Sequence, residues 1–236
     1  MKSHSPSPAI ADFAIALAPI PDPFAREGGE ALPGPARRPL SPSPSRSRRR
    51  ALTITAACAA VLYEGAGLAF FKTRPDLGTT SLPLVALELA LPLGVGVVAL
   101  MAAARKGRLG LGEPAVRLAA WVIGAPLAFA VATLSFFPHD PSDAAFWSRT
   151  QTCVLVTACL GAGPLVLAAL AVRNAFAAAA GWRTAAIGVV SGALAASTIA
   201  LVCPDGGALH VLIGHGAMMM VMGLLAAGLI GRAARI

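Results

Sequence analysis

"LPLVALELALPLGVGVVALMAAA", Leu82–Ala104, runs for 23 residues with Glu88 as its one ionisable side chain. As a helix rising 1.5 Å per residue it reaches about 34 Å, enough to cross a hydrocarbon layer of about 30 Å. Backbone polar groups find no water in lipid, so such a stretch satisfies them internally as a helix. Five further blocks read the same way: Leu52 to Phe71, Val116 to Phe137, Thr152 to Val172, Thr184 to Val202 and Ala208 to Ile230. The period-two alternation of a membrane β-barrel is absent. Composition agrees, with 56% hydrophobic and 13% charged residues, where soluble domains carry about 25% charged. The expected fold is all-α: six transmembrane helices forming one bundle over residues 51–236.

Residues 1–50 are a different material, rich in proline and serine and closed by "SPSPSRSRRR". That composition cannot bury a core, and a disordered tail is expected. The first apolar block starts too late and is too long to be the h-region of a signal peptide. The basic run therefore marks the first helix as an uncleaved anchor.

The net charge of +8 first raises the question of nucleic acid. Its distribution answers otherwise. The tail, the links between helices two and three and between four and five, and the C-terminus together hold sixteen of the nineteen Lys and Arg; Lys72, Arg74 and Arg149 hold the other side. The positive-inside rule then places both termini in the cytoplasm. The charge is a topology signal, with anionic lipid as a further partner of "RSRRR" and no direct nucleic-acid role expected.

With that orientation, "LVCPDGGALHVLIGHG" (Leu201 to Gly216) lies at the non-cytoplasmic side. Cys203, Asp205 and His210 fall there, as do His139, Asp140 and Asp143 in the second outer link, and Cys153 one turn into helix four. Disulfides persist in such a compartment. Cys153 and Cys203 admit two readings: a thiol pair that oxidises or binds a soft metal, and two small residues capping apolar spans. No CxxC is present. His210 and His215, five apart, stand about 140° round an α-helix and should not share a face. With the cysteines they nonetheless form the candidate metal set Cys153, Cys203, His210 and His215, suited to zinc or copper. Met218, Met219, Met220 and Met222 follow, readable as copper ligands or as packing. Cys58 and Cys159, at membrane depth, read as inert packing residues. Glu64 and Glu88 are costly in lipid and are either functional or paired for packing. Gly188 and Gly192 give GxxxG in helix five, a pattern that permits close helix contact.

Enzyme signatures are missing: no P-loop, no HExxH and no GxSxG occurs. No inverted pair of broken helices points to a transporter. The chain is not expected to be an enzyme.

Several segments resemble the negative-regulator-of-sigma-F (NrsF) family of bacterial anti-sigma factors. They are "RPDL" after the first helix, "LPLVALELALPL" opening the second, a cysteine at the head of helix four, and "CPDGGALH" between helices five and six. "ADFAIALAPIPDP" in the tail is similar to the leucine-rich stretch that opens many members. The resemblance implies six membrane helices, an internal N-terminus, and sequestration of an extracytoplasmic-function sigma factor. It also implies that two outer-face cysteines, Cys153 and Cys203 by position, sense metal or oxidative stress, with His210 in support. Three departures stand out: Val202 where many members have His, His210 and His215 in place of aromatics, and Glu88 in place of a lysine. The resemblance turns attention to residues 10–20, where Ile10, Phe13, Ala14 and Leu17 form one apolar stripe at helical spacing. About two turns of helix are marginal alone in water but can fold in a partner's groove, here that of the sigma factor. The alternative is a small membrane protein that binds or moves a metal.

Overall fold

The structure, a computed structural model, describes residues 46–104, 114–138, 145–172 and 179–233. The stripe Ile10, Phe13, Ala14 and Leu17, the outer-link residues His139, Asp140 and Asp143, and the basic residues Arg105, Lys106, Arg108 and Arg173 lie outside them. Among the described residues every regular element is helical. Helices α1 (Arg46–Phe71), α2 (Leu82–Ala104), α3 (Ala115–Phe136), α4 (Phe146–Val172) and α5 (Ala180–Ala200) are followed by α6 (Ala208–Ile230). A short 3₁₀ turn, Pro75–Gly78, sits between α1 and α2. Among the described residues six helices are thus long and apolar enough to cross a membrane, as expected of a multi-pass membrane protein. Three helix starts differ from expectation by four residues or more, and α5 begins at Ala180, not Thr184. Helix α1 starts within the basic run, and α4 starts at Phe146, so Cys153 lies two turns into it.

Helix α5 is the axis of the bundle. Within its most apolar 18-residue stretch 83% of residues are buried, against 11% for that of α1, although α5 is the least hydropathic of the six. The physical reason is its side chains. Apolar burial drives no helix pairing inside lipid, so small residues that let backbones approach take over that role. Gly188 and Gly192 do so here: a Cβ on Gly192 would fall 2.6 Å from Met219 Cα, and one on Gly188 would collide with the Met222 carbonyl. Met219 and Met222 are buried in this seam, so the methionine run packs α6 onto α5. The hydroxyls of Thr184, Ser191, Ser197 and Thr198 donate to carbonyls four residues back, which satisfies them in an apolar setting.

Buried prolines interrupt α2 (Pro92), α3 (Pro126) and α4 (Pro164); neighbouring helices shield the freed backbone groups from lipid. The outer helices turn Leu62, Leu127, Leu155 and Leu229 outward, as a lipid-facing surface requires. Cys58 and Cys159 are exposed on that surface, where packing residues had been expected. Tyr63 ties α1 to α4 by donating to the Cys159 carbonyl at 2.7 Å. Arg183 donates to the Ala103 carbonyl at 2.6 Å and so caps the end of α2, a favourable place for a cation.

Candidate functional site

The α1–α2 and α5–α6 links, the end of α3 and the start of α4 gather at one end of the bundle, and the site is built there. Cys153 comes from α4, Cys203 from the α5–α6 link, and His210 and His215 from α6. Helix α5 ends where its last turn tightens: the amides of Leu201 and Val202 bond back to Thr198 and Ile199 at 3.1 and 2.9 Å. Cys203 then lies against Cys153, with the two sulfurs 3.0 Å apart and Cys153 donating. His210 Nε2 is 3.2 Å from the Cys203 sulfur. All four side chains are buried, and one ligand atom from each lies within 4.8 Å of every other.

The expectation that His210 and His215 diverge is wrong. Their rings meet edge to face with centroids 5.5 Å apart. The cause is the backbone. Val211–Gly216 is a π-helix, whose wider i→i+5 step brings residue i+5 back toward the face of residue i. Two features accompany the wide turn. Thr157 donates to the Gly214 carbonyl at 3.1 Å and also to the Cys153 carbonyl at 2.7 Å. Gly214 itself presents no side chain where a Cβ would come 3.3 Å from Cys153 Cβ and 3.5 Å from His210 Nε2. Glycine there lets α4 and α6 close over the cluster.

A ring of polar groups holds the cluster from behind. The other nitrogen of His210, Nδ1, is 3.1 Å from the Thr150 hydroxyl and 3.6 Å from Asp205 Oδ2. Asp205 is held in turn by Arg149 Nε at 3.1 Å and accepts from the Gly207 amide at 3.3 Å. Hydrogen bonds to one ring nitrogen orient an imidazole so that its other nitrogen is presented to a ligand. The Cys153 thiol donating to it, and then the two imidazoles, hold the Cys203 thiol well below the ordinary thiol range, against the opposing effect of burial. A thiolate is the form that attacks disulfides and binds metals.

A second structure latches the α5–α6 link. Arg74, from "RPDL", is 4% exposed. Its amide donates to the Leu201 carbonyl at 2.9 Å and its Nη1 to the Cys203 carbonyl at 3.1 Å. The same Nη1 lies 2.9 Å from Glu88 Oε2. Lys72, at φ 62°, ends α1 in the left-handed region and turns the chain toward this position. Glu88 is therefore paired, resolving one of the two intramembrane carboxylates. Glu64 is buried beside Thr198, and neither of its oxygens has a hydrogen-bond partner.

Sequence reasoning singled out all four clustered residues but missed Thr150, Thr157 and the Arg74 latch. "TQTC" carried a signal for Thr150, which precedes Cys153 by three and so shares its helix face. The latch carried none, since its partners lie 129 residues apart in the chain.

A sequence model described as negative regulator of sigma F, NrsF, matches residues 38–235. No curated protein and no solved structure matches the chain. The family match takes in all six helices, Cys153, Cys203 and the latch. The chain belongs to the NrsF family, the negative regulators of sigma F.

Proposed function

We propose that the chain is a membrane-bound anti-sigma factor that sequesters an extracytoplasmic-function sigma factor at the cytoplasmic face. It releases that partner when a metal or oxidant reaches Cys153 and Cys203 on the opposite face. Family membership supports the negative regulation, and the charge asymmetry supports the orientation. The observation that carries the sensor is the 3.0 Å contact between two buried thiols fifty residues apart. Thiols that close react together or bind one ion together, and either event pulls α4 against the α5–α6 link. The apolar stripe Ile10, Phe13, Ala14 and Leu17 is the sigma-binding element; it precedes the family match and rests on its helical spacing.

The test is a sigma-dependent reporter in cells carrying C153S, C203S or the double variant. Each should silence the response to metal or oxidant while sigma stays bound. C58S and C159S should leave the response intact. A normal response from the double variant refutes the sensor. The four-residue cluster also favours a metal-handling protein without a sigma partner. In that case deletion alters metal tolerance and leaves sigma-dependent transcripts unchanged.

A further inference from the structure

The proposed sensor leaves two features of the site unexplained. A redox switch needs two sulfurs and no more. Here two imidazoles also converge on them, and one is backed by a carboxylate and a hydroxyl. His215 is 4% exposed, and its Nε2 is buried without a hydrogen-bond partner. Leaving a buried polar nitrogen unpaired carries a real free-energy cost, and a chain that does so beside two thiols has a ligand position to fill.

We propose that Cys153, Cys203, His210 and His215 form a closed tetrahedral site for a divalent, borderline-soft metal ion of the zinc class, with Asp205 and Thr150 orienting His210. This deepens the sensor reading and rests on it for the biological role, though not for the binding itself. Three observations carry it. The first is the donor set. Two thiolates and two imidazoles are a combination that four-coordinate zinc uses in closed sites. The second is size. With Zn–S near 2.3 Å and Zn–N near 2.0–2.1 Å, the edges of such a tetrahedron run from about 3.4 to about 3.8 Å. The sulfurs now stand 3.0 Å apart, sulfur and His210 Nε2 are 3.2 Å apart, and no pair of ligand atoms exceeds 4.8 Å. Small side-chain shifts reach the required edges. The third is the backing of His210. A carboxylate behind the far nitrogen of an imidazole is the arrangement that fixes the tautomer of a metal-binding histidine. Asp205 has that position, itself held by Arg149.

Coordination by both sulfurs requires both as thiolates. The proton that Cys153 now shares with Cys203 therefore leaves for solvent when the ion enters. All four positions are taken by protein, so the filled site has no open position for catalysis and acts as a clasp joining α4, the α5–α6 link and α6.

The experiment uses the full chain, reduced and purified in detergent, with Zn²⁺ as the probe and Co²⁺ as its spectroscopic stand-in. The expected result is one ion per chain, with ligand-field bands of tetrahedral cobalt and sulfur-to-cobalt charge transfer. H210A and H215A should each weaken binding by more than a hundredfold. D205N should keep the stoichiometry and the tetrahedral bands while weakening affinity by about 10–100-fold. The cobalt spectrum is read on the unmodified chain, so the proposal remains testable if a histidine variant fails to fold. An octahedral spectrum, absence of sulfur charge transfer, or unchanged affinity in both histidine variants overturns it. A sigma reporter run in parallel separates the two ideas. Tight zinc binding with unmoved sigma activity supports the site and defeats the sensor. A reporter that answers oxidant in a chain unable to bind zinc or cobalt supports the sensor and defeats the site.

Discussion

Replacing Arg74 with alanine tests the latch most directly. Arg74 and Glu88 are both buried, and their charges are 2.9 Å apart. Removing one partner from a buried ion pair typically costs about 3–5 kcal/mol, because the remaining charge stays uncompensated. Here the change also strips the Cys203 carbonyl of the guanidinium that donates to it at 3.1 Å. At about 2–4 °C per kcal/mol for a chain of this size, R74A should melt roughly 6–20 °C below the parent. The three tryptophans, Trp121, Trp147 and Trp182, report melting of the detergent-solubilised protein by their fluorescence. E88Q should fall in the same range. The double replacement R74M/E88L, which leaves no buried charge, should lose much less than the sum of the two single changes. R74A melting within about 2 °C of the parent, or additive losses in the double variant, would refute the pairing.

Three other outcomes test the stripe, the orientation and the helix seam. F13D/L17D removes two apolar anchors worth about 1.5–3 kcal/mol each when fully buried, so sigma co-purification should fall by at least about a hundredfold; undiminished recovery would move the contact elsewhere. Alkaline phosphatase fused after Asp143 should be active and fused after Ile236 inactive, and the reverse pattern would overturn the orientation. G188L drives a side chain into the Met222 carbonyl and should destabilise the α5–α6 seam by about 1–3 kcal/mol. Scored by the same fluorescence melt, G65L, where a Cβ meets nothing within 4 Å, should change little.

The membrane architecture was legible because length and hydropathy are summed over some twenty residues, and a sum tolerates local error. The start of α4 was not: "FWSRTQT" is too polar to register as a span, yet it continues the helix past the apolar block and carries Thr150. Cys153 and Cys203 could be named as a pair from their common end of the bundle. The sharing of one site by His210 and His215 could not. Their angular separation depends on which hydrogen-bond step the backbone takes, and composition does not encode that step. The partner of Glu88 was hidden for another reason. Arg74 looked like an outer-face charge, but Lys72 and the Pro75–Gly78 turn fold it inward onto the α5–α6 link.

The wide turn at Val211–Gly216 lets α6 absorb a change of one in residue count. A π turn is in effect an α-helix that has accommodated an inserted residue. Loss of the single codon for Ile213 would leave the hydropathy, charge and approximate length of the span as they were. It would return the wide turn to a regular α-helix and leave the two halves of α6 close to their present rotation. His210 and His215 would then stand four apart, about 40° round the axis, and Met219 would keep its seat on Gly192. Among related genes, paired histidines four apart on a regular helix and five apart on a wide turn are thus equivalent, and a search for either spacing alone would pass over chains able to form the clasp.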